Sequence, residues 1–197
     1  MNDEIACMGR DSRGQPPACP GAIVLGSRRR GATIAAMPEL VYETLLDAPL
    51  AEVWAWHMNP RQAFAALAPP DGDVRIEQLD EPMADGSRLC FSARGLLGRR
   101  IAWVARHEDV RPPHPVAFGE EARFVDVQER GPFAAWRHEH DFEHAGLKQT
   151  RLIDRVVYRL PLHPISTPLD WLVVRPKLRR MFAHRRAVLA ARFGVAK

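Results

Sequence analysis

The sequence lacks any apolar run long enough to span a bilayer, so it offers no membrane-crossing helix. It also lacks a Gly-rich phosphate loop, a CxxC pair, an HExxH and a GxSxG. Those absences remove nucleotide-dependent chemistry, zinc-finger binding and serine hydrolysis of the usual kind. Cysteine is scarce: Cys7 and Cys19 fall in an aperiodic N-terminal stretch and Cys90 inside a strand pattern. They make no disulfide framework, and a reducing cytoplasm is the expected compartment. Charge of one sign is scarce too. Of the net +4, the first 36 residues supply +2, through five Arg against Asp3, Glu4 and Asp11. The remainder is too small to argue for nucleic acid, and the aromatic residues of the strand patterns lie opposite the charged face instead of interleaving with it.

What is present suits one globular unit: 197 residues, 46% hydrophobic and 26% charged. From Met1 to Ala36 no periodicity is sustained, which reads as a disordered tail. Met37 is an alternative start, because recognisable structure begins directly after it. Glu39 to Asp47 reads as a strand. Ala48-Pro49-Leu50 opens a helix that Asn59-Pro60 breaks, and Arg61 to Leu67 forms a second short helix. Strands are expected at 73–79, 87–94 and 99–108, with turns at Asp85-Gly86 and between Gly95 and Gly98. In the last of these strands Ile101, Trp103, Ala105 and His107 share a face. Pro112, Pro113 and Pro115 then suggest an irregular crossing.

The central stretch, Ala122 to Leu160, alternates through three runs. In the middle run Ala134, Trp136, His138, His140 and Phe142 face one way, while Arg137, Glu139, Asp141 and Glu143 face the other. The first run puts Phe124, Asp126 and Gln128 on one side. The third puts Leu152, Asp154, Val156, Tyr158 and Leu160 there. Opposite charges facing across antiparallel strands stabilise by roughly 0.2–1 kcal/mol per pair. The favoured register therefore sets Glu143 against Arg151 and Glu139 against Arg155. It leaves Ala145 to Gln149 as the loop, with Gly146 free to take a positive φ. On the other face it sets His140 across from Asp154 and Trp136 across from Tyr158, with His138 a diagonal step away. After Pro164, Ser166 to Phe193 is helical by period, with Leu178, Met181, Phe182, Val188 and Leu189 inward. Pro176 predicts a kink, or a short helix to Val174 and a longer one from Arg175. Arg175, Lys177, Arg179, Arg180, Arg185 and Arg186 are placed on the outer, solvated face, where a weak contact with an anionic surface is the sharper alternative.

The run Phe124, Asp126, Gln128, Gly131-Pro132-Phe133, Trp136, His138, His140, Phe142, Leu152-Ile153-Asp154, Val156, Tyr158, then Val174-Arg175-Pro176 through Leu178, Phe182 and Arg185, resembles the SRPBCC or START-like proteins of the polyketide cyclase/dehydrase type. The resemblance covers Leu40 to Phe193. It implies an α+β helix-grip fold: a seven-stranded antiparallel sheet curled around a long C-terminal helix, two short helices after the first strand, and a cavity that takes a small hydrophobic ligand. Residues 37–197 would form that ligand-binding domain. Fold alone does not settle function.

Within such a cavity Phe124, Trp136, Phe142 and Tyr158 would supply apolar contact, and Asp126, Gln128, His138, His140 and Asp154 would meet the ligand's polar group. Two further readings use the same residues. In an aromatic cyclase or dehydratase, His140 would act as base with Asp154 holding its tautomer and His138 alongside. His138, His140 and Asp154 also have the composition of a metal site, but an ordinary His–Asp hydrogen bond explains the pair, and no metal or cofactor is expected. A third class, a partner-binding protein acting through the basic C-terminal helix, needs no cavity. Deleting residues 1–36 is expected to leave the melting temperature within about one or two degrees, since residues that bury little contribute little. A clearly lower value in a thermal melt would show that the tail packs on the domain.

Overall fold

Alternation, prolines and turn residues divide the chain into β1 (Glu39–Leu46), α1 (Leu50–His57), α2 (Pro60–Leu67), β2 (Arg75–Leu79), β3 (Arg88–Arg94), β4 (Arg100–Val116), β5 (Gly119–Arg130), β6 (Ala135–Gly146), β7 (Gln149–Arg159), a one-turn α3 (Thr167–Leu169) and α4 (Arg175–Phe193). The structure is a computed structural model that describes residues 37–95 and 98–195. The tail expected at 1–36, with Cys7 and Cys19, and the centre of the turn after β3 lie outside the described residues.

All seven strands form one sheet in the order β1-β7-β6-β5-β4-β3-β2, antiparallel throughout. The long C-terminal helix and the two short helices after β1 complete the helix-grip α+β arrangement. The β6–β7 register follows the charges: Glu143 pairs with Arg151 and Glu139 with Arg155, closing ion contacts of 3.6 and 3.3 Å. Each contact is half-exposed and weak alone. Together with Arg123, which bridges Glu139 and Asp141, they hold the outer face in one alignment, and a one-residue slip would turn every inner side chain outward.

Two boundaries differ from the sequence expectation. β6 continues to Gly146 and β7 begins at Gln149, so the turn shrinks to Leu147 and Lys148. The proline stretch is no irregular crossing but the outer part of β4. Its pairing with β5 shifts between Glu108 and Arg111 and again between Arg111 and His114. Each shift leaves residues out of the ladder, so missing N–H groups break few bonds there. Near Pro176 the helical segment divides where the sequence places the boundary, with one helical piece ending at Val174 and α4 beginning at Arg175. A π-helical turn, Asp170–Val174, joins α3 to α4 with its flanking residues Leu169 and Arg175 in the right-handed helical region. Pro176 then falls in the first turn of α4, where a missing donor costs least.

Cys90, given no role from sequence, is buried and disulfide-bonded.

The core has two parts. Under α1 and the end of α4, Leu46, Val53, Trp54, Phe124, Phe142, Leu152, Leu189 and Phe193 pack together. Nearer the start of α4, Val156, Tyr158, Leu178 and Phe182 pack with Tyr42 and Trp136. A polar bolt fixes this second part: the fully buried Tyr158 hydroxyl donates to Asp170 Oδ1 at 2.7 Å, and Arg175 Nε donates to Asp170 Oδ2 at 2.8 Å. Tyr158→Phe leaves buried Asp170 short of one donor and is expected to lower unfolding free energy by about 1–3 kcal/mol with an unchanged denaturant slope. Equal midpoints for the two proteins in urea would show that the bolt adds nothing.

Candidate functional site

The inner face of the sheet carries an unbroken polar chain. At one end Ser87 Oγ lies 2.9 Å from His107 Nδ1, and His107 Nε2 lies 3.2 Å from Asp126 Oδ1. Asp126 Oδ2 accepts from His140 Nε2 at 3.0 Å. On the far side of His140, Asp154 Oδ1 sits 2.9 Å from Nδ1, yet the alignment makes no hydrogen bond and Nδ1 is left buried without a partner. Asp154 Oδ1 instead hydrogen-bonds His138 Nε2 at 3.0 Å. From above, Arg185 of α4 brings a guanidinium nitrogen to 3.6 Å from Asp154 Oδ1, and its Nε is buried and unpartnered.

Backbone register brings His140 opposite Asp154 and Trp136 opposite Tyr158, as the charges predict. The side chains then depart from it. The expected His140–Asp154 hydrogen bond is replaced by His140–Asp126 and His138–Asp154. An imidazole on a strand reaches sideways more easily than straight across, and β5 places Asp126 beside the inner row, paired with His138. Of the other expected site residues, Phe124, Phe142 and Tyr158 are close-packed, with Phe142 and Tyr158 at 0% exposure. Gln128 is turned to its own hairpin, donating to the Phe133 carbonyl at 2.8 Å and accepting from the Phe133 N–H at 3.2 Å. Trp136 remains half-buried.

Three participants escaped the sequence reading. His107 shares the inner face of β4 with Trp103, but a register shift between Val104 and Ala105 decides what it meets. Ser87 precedes β3 and gave no signal. Arg185 was placed on the solvated face and is instead turned inward; its spacing from Phe182 and Leu189 on α4, three and four residues, was a usable sign.

Electrostatics assigns protons along the chain. Burial pushes Asp154 up, but the charge of Arg185, the hydrogen bond from His138 and the adjacent His140 imidazole outweigh it and hold the carboxyl well below its ordinary range. Burial likewise raises Asp126, and hydrogen bonds from His107 and His140 bring it below. For His140, burial disfavours the charge while the two flanking carboxylates more than restore it, so its pKa is raised. It therefore suits a proton donor better than a base. His138 is driven down to about 4 by burial and by the charge of His140. His57 of α1, whose Nδ1–H donates to the Val53 carbonyl over 2.8 Å, is driven to about 3 mainly by burial.

Asp126, His138 and His140 hold their ligating atoms within 4.8 Å of one another, a spacing that a divalent cation could use. The same atoms are engaged in hydrogen bonds in the structure, and His140 would have to release its proton to ligate.

A cleft and a row of aromatic rings adjoin this region. Next to β1, a cleft of about 250 Å³ runs between Tyr42, Thr44 and α4, with Asp154 and Arg185 on its floor and Phe182 and Leu189 along its side. Nearer the turn after β3, half-buried rings form a row from α2 across the sheet to the β5–β6 turn: Phe64 against Phe91 at 4.7 Å, Phe91 against Trp103 at 5.6 Å, and Trp103 against Trp136 and Phe133 at 5.3 and 5.5 Å. Trp136 ends the row edge-on to His138 at 6.3 Å.

No protein-family model and no curated protein matches the chain. Solved structures do. The Zhui aromatase/cyclase from Streptomyces sp. R1128 superposes with a TM-score of 0.58 at 12% identity, over 79% of this chain and 93% of that one. A START superfamily protein from Mycobacterium smegmatis gives 0.53 at 12% identity, over 79% and 96%. Norcoclaurine synthase from Thalictrum flavum gives 0.51 at 12% identity, over 80% and 96%. The chain has the START-like fold.

The proton assignments fix a pH profile. His57 and His138 have folded pKa values near 3 and 4 against an ordinary 6.5, so the unfolded state binds more protons below about pH 6.5. Stability is full above that pH and falls as pH drops toward 4, by at most ~1.4 kcal/mol per pH unit for each histidine. His140 runs the other way: its raised pKa adds stability that is full below 6.5 and lost as pH rises through the folded value. Thermal melts across pH are expected to peak near about 6.5, and His57→Leu to flatten the acid limb. An acid limb unchanged by that substitution would mean that His57 is protonated in the fold.

Proposed function

We propose that the protein binds a small, largely hydrophobic molecule between the sheet and the long helix. The observation that carries this is the row Phe64, Phe91, Trp103, Phe133 and Trp136, whose rings touch one another yet stay half-buried. An interior sheet face normally completes the burial of its aromatics; stacked rings left partly open beneath a helix suit an apolar or aromatic guest. The row ends at Trp136 beside His138, so a guest lying along it would present its polar end to the His–Asp chain. Phe124, Phe142 and Tyr158 would back that wall from within the core, and Gln128 would hold the Phe133 turn in place. The fold neighbours include a START superfamily protein and an aromatase/cyclase, which agrees with this class of cargo and identifies none.

An aromatic cyclase or dehydratase is the second reading, favoured by one observation: His140 combines a raised pKa with a place between two ionised carboxylates. In that reading it would deliver a proton to a leaving oxygen while His138, held neutral, accepts one. Native mass spectrometry of protein purified from its own host is expected to show a co-purified small molecule, and Trp103→Ala or Trp136→Ala to weaken its retention by about tenfold, the loss of one buried aromatic contact. Retention untouched by either substitution would move the ligand away from the row. Chemical conversion of the molecule, abolished in His140→Gln without loss of retention, would select the second reading.

A further inference from the structure

The segment leading into α4 exposes its large apolar residues. Leu162 is 79% exposed, Ile165 82%, Trp171 60% and Leu172 78%, with Leu169 also exposed. All five fall within the eleven positions from Leu162 to Leu172, and the segment is drawn in by its own turns: the Ser166 N–H donates to the Leu162 carbonyl, the Thr167 N–H to Pro164 and the Asp170 N–H to Ser166. All five side chains stand in solvent along this short, turn-rich segment. Scattered exposed apolar residues need no explanation, but a cluster of this size does.

The chain that carries the cluster is strongly basic. From Pro161 to Lys197 the sequence holds eight Lys and Arg against a single acid, Asp170. That acid is buried and already shared by Tyr158 and Arg175. Lys177, Arg179 and Arg180 are exposed on the first turns of α4. Lys177 Nζ donates to the Arg94 carbonyl at 3.1 Å, which draws the exposed Arg94 at the end of β3 to the same side. Arg175 lies over the Trp171 ring at 4.4 Å, so the indole carries a cation on its face.

We infer that this surface docks on an anionic lipid membrane: Leu162, Ile165, Leu169, Trp171 and Leu172 enter the acyl boundary while Lys177, Arg179, Arg180 and Arg94 meet the headgroups. Two weak signals are combined, as peripheral binding requires, since neither a few apolar side chains nor a few cations hold a protein to a bilayer alone. A tryptophan beside a basic group suits the headgroup level, where one end is apolar and the other wet. A protein partner is the poorer fit: the side chains project, and a rigid partner would need a matching hollow and acids in register, whereas a bilayer deforms. Among the described residues no helix is long and apolar enough to cross a membrane, so the attachment is to one leaflet. It stands apart from the ligand reading, because docking is measured without cargo.

The full chain is mixed with vesicles of phosphatidylcholine containing phosphatidylglycerol, and with vesicles of phosphatidylcholine alone, and bound protein is separated by flotation. Retention on the anionic vesicles is expected to exceed that on neutral ones by about tenfold and to fall as salt rises. Ile165→Ser with Leu172→Ser, and separately Lys177→Gln with Arg180→Gln, are each expected to cut retention about tenfold. All four positions are exposed, so melting temperatures should match the parent, and a matching melt keeps a loss of retention attributable to the surface. The inference is overturned by equal retention on both vesicle types, by no retention on either, or by retention that ignores both pairs of substitutions. A dimer seen by size-exclusion chromatography and dissociated by Ile165→Ser with Leu172→Ser would also overturn it, by giving the surface to a second copy of the chain.

Discussion

Two carboxylates lie between the sheet and the helix layer, and a carboxylate out of water demands a counter-charge. Asp126 and Asp154 receive theirs from different layers. The pKa of His140, on the strand between them, is raised by both, and Arg185 descends from α4 onto Asp154. Much of the architecture is constrained by this balance. β5 has to be aligned so that Asp126 meets His107 and His140 together; α4 has to be rotated so that one arginine of a basic helix turns inward. The Tyr158–Asp170–Arg175 bolt at the head of α4 fixes that rotation from the other end, because Asp170 sits in the π-helical turn and Tyr158 on β7. The π-helical turn ahead of α4 leaves Pro176 in the first turn of that helix, where its missing donor costs least.

The two faces of the sheet divide the work. Outside, arginines and acids form a weak but repeated lattice that selects the register; inside, histidines and aspartates are few and strongly coupled. A buried network of this kind specifies one arrangement more than it adds stability, since each member is costly without its neighbours.

Much of this was legible before any coordinates. Glu143 with Arg151 and Glu139 with Arg155 determined the β6–β7 register because like charges would have met in the alternative. The fold order followed from the two short helices after β1 and the alternating runs of the centre. Side-chain partners were less legible. Register gives which Cα atoms face each other, but His140 bonds to β5 and Asp154 to His138, one diagonal away. The β4 contribution was hidden by a one-residue shift at Val104, which periodicity cannot locate. Prolines 112, 113 and 115 misled for the opposite reason: local chemistry disfavours a strand, and paired bulges tolerate one. Arg185 was missed by treating every arginine of α4 as solvent-facing, although Phe182 and Leu189 bracket it on the buried stripe.

The sheet is open, and β1 and β2 are its two edges. An open edge offers unpaired backbone groups to any extended segment, the starting point of strand addition and fibrillar growth. Neither edge here is a good template. β2 has five residues and is bulged between Ile76 and Gln78, too short and too bent for a second chain to copy. β1 is longer, but its outward positions Glu39 and Glu43 are carboxylates tied to Arg155 and Arg151, and its end is bridged by Val195 at Leu46. A stacked copy in register would set glutamates against glutamates along the edge, so concentrated protein is guarded against sheet-to-sheet polymerisation by geometry on one side and by charge on the other.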